Sequence, residues 1–360
     1  MLQRTPLFDR HVALGAKLAD FGGWEMPIEY TGTVGEHTAV RESVGIFDVS
    51  HMGKMRITGP GAADFVNTLV ANDVHRIGDG QAQYSMLCTE DGGIVDDLIV
   101  YRFGPDDIFI VPNAANAATV VATFRDAVPA GITIDDQHHA LGIIAVQGPR
   151  CAEVLTALGL PTDHDYMAMV EATWQGHRVL VCRTGYTGER GFELIAPSES
   201  LGALWDALAE QVAAVGGQPA GLGARDTLRT EMGYPLHGQD ISIDTSPVEA
   251  GLGWAVGWDK PTFRGRDVLV AQKATGPTRR LRGVRMVGRG IPRPHMQVQH
   301  NGRVVGETTS GTFSPSLRQG VALAYLPASI PVGEAIQVDV RGSLVDAEVV
   351  APPFVDSHVR

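Results

Sequence analysis

The segment Gly92-Gly93-Ile94-Val95-Asp96-Asp97-Leu98-Ile99-Val100-Tyr101-Arg102-Phe103 sets two adjacent carboxylates in an apolar run. Bounded by glycines and rich in β-branched residues, it reads as a strand, whose successive side chains point to opposite faces. Ile94, Asp96, Leu98, Val100 and Arg102 then share one face, of mixed character. Val95, Asp97, Ile99, Tyr101 and Phe103 share the other, where Asp97 is the sole charge. A carboxylate on an apolar face must find a partner or hold a proton, because desolvation disfavours its charged form. The residues alone equally allow an aspartate bonded to backbone amides at a strand start, or one that faces solvent.

A second candidate is Arg225 in Gly221-Leu222-Gly223-Ala224-Arg225-Asp226. The run has two glycines of a dinucleotide fingerprint, but Asp226 stands at the third and a helical stretch precedes it, which argues against a nucleotide site. Leu228 and Met232 follow at helical spacing, so the glycines open a helix. Asp226 suits that helix start, whereas Arg225 sits where the macrodipole disfavours a cation. It is either a surface residue or one retained for an anionic or carbonyl-bearing ligand. His51, in Ser50-His51-Met52-Gly53, reads as a hydrogen-bonded loop histidine, and His164 lies between Asp163 and Asp165 in a polar loop. No metal site is expected, because no histidine pair has ligand spacing. Neither a Gly-x-Ser-x-Gly elbow nor a phosphate-binding Gly-x-x-x-x-Gly-Lys is present, so nucleophilic catalysis has no candidate.

The elements that must position these residues follow from pattern. The chain has 360 residues, 44% of them hydrophobic and 19% charged, which is globular composition and leads us to expect two or three domains. Its 29 Lys and Arg against 41 Asp and Glu leave a net charge of -12, a poor match to nucleic acid. The N-terminus lacks an apolar signal region and no stretch reads as a membrane span. Cys88, Cys151 and Cys182 have no paired spacing and suit a reducing compartment, so a soluble cytoplasmic protein is expected. A helix is expected over Glu199 to Val215, with Leu201, Leu204, Trp205, Leu208, Val212 and Val215 on one stripe, Ser198 as cap and Gly216-Gly217 as stop. A second helix follows Gly61. Strands are expected over Ile94 to Phe103, Leu141 to Val146, Val179 to Arg183 and Phe192 to Ile195, the last two joined as a hairpin. From Val268 to Gly306 there is no acid but eight cations, Lys273 and seven arginines. Short β-type runs follow, so residues 276–360 read as a small all-β domain with a basic surface that could capture anionic partners.

Several segments taken together say more. They are Thr5-Pro6-Leu7, Phe21 to Pro27, Phe47 to Gly53, Gly92 to Tyr101, Arg183 to Glu189 with Gly191-Phe192-Glu193, Gly221 to Arg225, Pro247 to Trp254, and Thr309 to Pro315. In order and end to end, this set closely resembles the aminomethyltransferase family, the T-proteins of the glycine cleavage system. The resemblance implies an α+β protein of three domains, a cloverleaf around a central folate channel. Two interleaved α+β domains would take residues 1–275, and a C-terminal β-barrel residues 276–360. It implies transfer of the carbon of an aminomethyl group, carried on the lipoyl arm of the H-protein, to tetrahydrofolate as co-substrate. The products would be 5,10-methylene-tetrahydrofolate, ammonia and dihydrolipoyl H-protein, a step of one-carbon metabolism and glycine catabolism. Asp97 matches the family's catalytic aspartate, Glu193 a pterin-binding glutamate and Arg225 a folate-contacting arginine. Tyr84, Met52, Tyr101, Asn113 and Tyr186 would line the channel, and Arg360 would lie near the folate tail. His237 departs from the family pattern, where tyrosine is frequent. The alternatives are a non-enzymatic folate-binding protein of the same fold and a folate-dependent demethylase. Relatives of the former kind generally lack the aspartate and the barrel motif, both of which stand here.

Overall fold

The near-continuous buried runs of Leu141–Gln147 and Gly191–Pro197 pair antiparallel at the centre of a six-stranded sheet, as strands covered on both faces do. We describe the fold from a computed structural model covering residues 2–360. Across the sheet the order is Met169–Trp174, His177–Cys182, Gly191–Pro197, Leu141–Gln147, Gly45–Asp48 and Gln218–Pro219. Only the last pair is parallel. The helix Ser198–Ala214 lays Leu201, Leu204, Trp205, Leu208 and Val212 into the same core as Val146, Val181 and Leu194 of the sheet. Each such side chain contributes about 1.5–3 kcal/mol when fully buried.

The expected helix is therefore present, but its cap is not Ser198. Pro197 holds the cap position, Ser198 is already helical, and its hydroxyl donates instead to the His139 carbonyl at 2.8 Å. A proline that ends the preceding strand fixes φ near its helical value and shifts the boundary by one residue.

The second sheet runs Gln81–Cys88, Ile94–Gly104, Asp107–Val111, Met55–Thr58 and Thr133–Asp136. Helices Ala62–Leu69 and Ala117–Ala127 meet through Phe65 and Phe124, whose rings pack edge to face at 5.9 Å. The alternation expected along Ile94–Gly104 is observed, with the faces in reversed environments. Ile94, Asp96, Leu98 and Val100 are buried, while Val95, Asp97 and Ile99 are only half-buried. Asp96 is thus the fully enclosed aspartate, and Asp97 stands on the more open face. Period-two alternation assigns residues to faces but does not say which face meets protein.

By compactness the chain divides into two units. The first takes the chain up to Ser85, Asp97–Arg225 and His358–Arg360; the second takes Met86–Asp96 and Asp226–Ser357. Within the second, six strands close a barrel in the order Arg279–Met286, Gln319–Pro327, Arg303–Ser314, Gln297–His300, Ala335–Val340 and Ser343–Val350. Val350 pairs back onto Gly283, so no edge remains unpaired. Val284, Met286, Val298, Ala322, Ala324, Val338 and Val349 fill it. The basic segment is less basic in space than in sequence. Arg279 binds Glu249 at 3.0 Å and Arg285 binds Glu348 at 2.8 Å, acids supplied from outside the segment.

The Thr309 to Pro315 motif finds a structural explanation in the same unit. Thr309 and Ser310 donate to Asp240 at 2.5 and 2.8 Å, and Ser314 donates to Glu231 at 2.5 Å. Arg229, 1% exposed, joins Asp240 at 2.7 Å and Asp226 at 2.8 Å. Breaking a buried, fully bonded ion pair of this kind typically costs about 3–5 kcal/mol. His237, the departure from the family pattern, faces the Ile94 carbonyl at 3.0 Å.

In the first unit Lys54 is 1% exposed, and its ammonium donates to the Ser50 carbonyl at 2.7 Å. Burial pushes its pKa down to about 7, against the pull of Asp48 and Asp136. Unfolding returns the group to an ordinary lysine near pKa ~10.4, so between those values the unfolded chain binds more protons. Lys54 therefore costs stability at neutral pH, and the cost fades as pH rises towards about 10. Lys54→Met should stabilise the protein by about 1–3 kcal/mol at pH ~7, after loss of the Ser50 bond, with a smaller gain at pH ~9.5. Urea unfolding at the two pH values checks this; an equal gain at both would show that the ammonium is not the cause.

Candidate functional site

Asp97 does not stand alone on its strand. The Tyr84 hydroxyl donates to its Oδ2 at 3.0 Å, and Asn113 Nδ2 donates to its Oδ1 at 2.8 Å. The same Asn113 nitrogen reaches the Asp97 carbonyl at 2.8 Å, so the amide locks backbone and side chain together. Tyr84 comes from Gln81–Cys88, and Asn113 from the cap of the short turn Ala114–Asn116 that follows Asp107–Val111. These donors are neutral, so they orient the carboxylate while leaving its charge in place. A half-exposed, oriented carboxylate can accept a proton or stabilise a cation forming beside it.

Four residues further along the same strand face, about 13 Å away by strand geometry, stands Tyr101. Burial raises its pKa well above the ordinary value, and its hydroxyl lies 3.3 Å from Thr184 Oγ1. Thr184 in turn donates to Glu193 Oε2 at 2.5 Å. Glu193 rides on Gly191–Pro197, opposite Cys182 and Ala145. The turn between the hairpin strands is held by Gln147, which donates to the Thr184 carbonyl at 3.1 Å and accepts from Thr187 at 2.8 Å. Gly185 and Gly191 make room for that amide, since a Cβ on either would lie 2.0 or 2.3 Å from its atoms.

Arg225 completes this second group. It lies in the first turn of Leu222–Glu231, and its guanidinium sits 4.8 Å over the Tyr186 ring. The residue is half-buried overall, and its charged end is the enclosed part. Desolvation lowers its pKa, with Glu193 and Tyr186 opposing. A desolvated cation beside a carboxylate and an aromatic face can receive a flat, polar ligand.

Residues 7–260 match the family described as the GCVT N-terminal domain, and residues 279–356 match the glycine cleavage T-protein C-terminal barrel domain. The chain belongs to the glycine cleavage T-protein family. It is 58% identical to the aminomethyltransferase of Parafrankia sp. (strain EAN1pec), over 100% of this chain and 99% of that one. To the aminomethyltransferase of Mycobacterium tuberculosis (strain ATCC 25618 / H37Rv) it is also 58% identical, over 99% and 97%. The crystal structure of glycine cleavage system aminomethyltransferase T from Bartonella henselae superposes with a TM-score of 0.94 at 34% identity, covering 99% of each chain. The α+β class with a C-terminal all-β barrel thus holds, and the T-protein family is one of transferases.

Against the T-protein motifs, the structure gathers the matched residues unevenly. Asp97, Tyr84 and Asn113 form one bonded cluster. Glu193 and Tyr101 join through Thr184, and Arg225 and Tyr186 lie beside them. Met52 is half-buried in the turn after Val49. Arg360 is exposed at the end of a tail anchored by the His358 amide on the Gly188 carbonyl at 2.7 Å. Its charge acts on the Tyr166 hydroxyl, whose pKa burial raises. Thr184 is the site residue that sequence reasoning passed over, although it stands inside the quoted Arg183 to Glu189 motif. The expectation for His51 is corrected. Among the described residues its ring Nδ1 is buried without a partner, and its carbonyl meets His138 Nε2 at 2.9 Å. Burial pushes its pKa down to about 3, and the ring packs edge to face on Phe21 at 5.5 Å, which is why it stays neutral. Among the described residues no group of three or more His, Cys, Asp or Glu side chains could hold a metal.

Proposed function

We propose that this chain takes the aminomethyl group from the lipoyl arm of an H-protein and passes its carbon to tetrahydrofolate. Ammonia and 5,10-methylene-tetrahydrofolate are formed, and the arm is left as dihydrolipoyl. The observation that carries this reading is the Asp97 carboxylate, oriented on both oxygens by neutral donors within a chain of the T-protein family.

The residues suit tetrahydrofolate. Glu193 has one oxygen occupied by Thr184, and a carboxylate offers further acceptor sites to the two parallel donors of an aminopyrimidinone edge. Arg225 and Tyr186 offer a cation and a ring to the flat body, with Tyr101 and Met52 as further lining. Tetrahydrofolate supplies the nitrogen atoms that accept the carbon. Asp97 holds N10 in position and stabilises positive charge as the carbon is transferred, while Tyr84 and Asn113 keep the carboxylate aimed. Arg360 meets the acidic tail.

The H-protein is the macromolecular partner in this reading; nucleic acid is not one. The exposed arginines of the barrel segment, Arg280 among them, offer positive charge on an acidic chain. No described helix is long and apolar enough to cross a membrane. We place the protein in the cytoplasm, with Cys88, Cys151 and Cys182 all buried and free. Two interleaved domains over residues 1–275 and a barrel domain over 276–360 complete the proposal. Mixing the chain with aminomethyl-loaded H-protein should release ammonia at a rate that depends on tetrahydrofolate. Release at the same rate without the chain would overturn the reading.

A further inference from the structure

Seven buried side-chain nitrogen or oxygen atoms among the described residues lack a hydrogen-bond partner, and four of them belong to His164, Arg183 and Arg190. Buried polar atoms are normally satisfied, so four orphans in one neighbourhood mark a place built for something polar. The two arginines flank one short loop. Arg190 Nη2 donates to the Thr162 carbonyl at 3.1 Å, and Arg183 Nη1 donates to the His164 carbonyl at 2.9 Å. Arg183 Nη2 also reaches the Val359 carbonyl at 3.5 Å. All three acceptors are neutral, and among the described residues neither arginine forms an ion pair with a carboxylate. Both Nε–H groups are left over, as are both ring nitrogens of His164, which faces the Val181 backbone without closing a bond.

Both arginines act on the same two groups. Burial lowers the pKa of His164, and Arg183 and Arg190 lower it further, with Asp163 opposing. The same two arginines act on the Cys151 thiol, which burial pushes up to about 11. Two guanidinium groups with spare Nε–H donors beside a neutral imidazole match the needs of an oxyanion, which accepts several charge-assisted bonds.

We propose that Arg183, Arg190 and His164 form a binding site for a single oxyanion group, carboxylate or phosphate, beneath the Thr162 to His164 loop. That chemistry has two sources: the γ-linked glutamate carboxylates of a folate tail, and free inorganic phosphate. The first rests on the proposed function, and the second does not.

The experiment titrates the full chain with sodium phosphate, using sodium chloride at matched ionic strength to remove general screening. Thermal midpoint and the phosphorus NMR linewidth of phosphate are followed together, the second needing no unfolding. The expected result is a saturable response to phosphate, weakened about tenfold or more by Arg183→Gln or Arg190→Gln. Competition with phosphate by tetrahydrofolate carrying three γ-linked glutamates, and not by the form carrying one, identifies the tail as the source. Saturable phosphate binding with no competition identifies free phosphate. The proposal is overturned if phosphate acts no differently from chloride while the two folates bind equally, or if both Gln variants bind phosphate as the parent does. Absence of any folate binding together with saturable phosphate binding would sink the folate reading and leave this site standing.

Discussion

Asp97→Asn should lose transfer activity by about 10²–10⁴-fold while tetrahydrofolate still binds, the usual cost of removing one positioned acid–base group. The substitution is structurally mild. Asn113 and Tyr84 both donate to Asp97, at 2.8 and 3.0 Å. An amide oxygen can keep the Asn113 bond, and the Tyr84 hydroxyl can turn to accept from the new NH2 group. Geometry survives and only the negative charge is lost. Asp96→Asn makes the control, since Asp96 is fully buried and its loss should show in stability before turnover. Steady-state rates of both variants, with calorimetric folate binding, decide the matter. Near-normal turnover in Asp97→Asn with an inactive but folded Asp96→Asn would show that the neighbouring acid does the work.

Glu193→Gln should weaken tetrahydrofolate binding by about 10–100-fold and change the rate at saturating folate much less. The amide keeps one oxygen for Thr184 but surrenders the charge and one acceptor of a bidentate pair, a loss of about 1.5–3 kcal/mol. It also removes the carboxylate that opposes the desolvation of Arg225. A calorimetric titration with unchanged affinity would take Glu193 out of the pterin contact.

Local pattern carried much of this architecture. The apolar stripe of Leu201, Leu204, Trp205 and Leu208 predicts its helix because a helix must bury one face, and the structure has it as Ser198–Ala214. The closed barrel follows from short alternating runs beyond residue 278. What was not legible depends on contacts distant in sequence. Asp97 and Asp96 differ in burial because of what each face meets, which alternation cannot encode. Asn113 reaches Asp97 across 16 positions, and His358 reaches Glu189 at 3.2 Å across 169, with no local signal for either. The acid-free stretch from Val268 to Gly306 looked uniformly basic until Glu249 and Glu348 folded against Arg279 and Arg285. His51 misled in the opposite direction: a polar residue in a turn is normally bonded, and this one is buried neutral against Phe21.

The central claim concerns where one carbon goes. A single turnover with isotopically labelled aminomethyl carbon on the H-protein arm, with tetrahydrofolate and the chain in excess, follows that atom directly. The account predicts that the label appears in the methylene bridge between N5 and N10 of the folate, with one ammonia released per labelled carbon. It also predicts that Asp97→Asn leaves the label on the arm over the same interval. Label retained on the arm by the parent chain with folate bound, or recovered as free formaldehyde with none on folate, would contradict it.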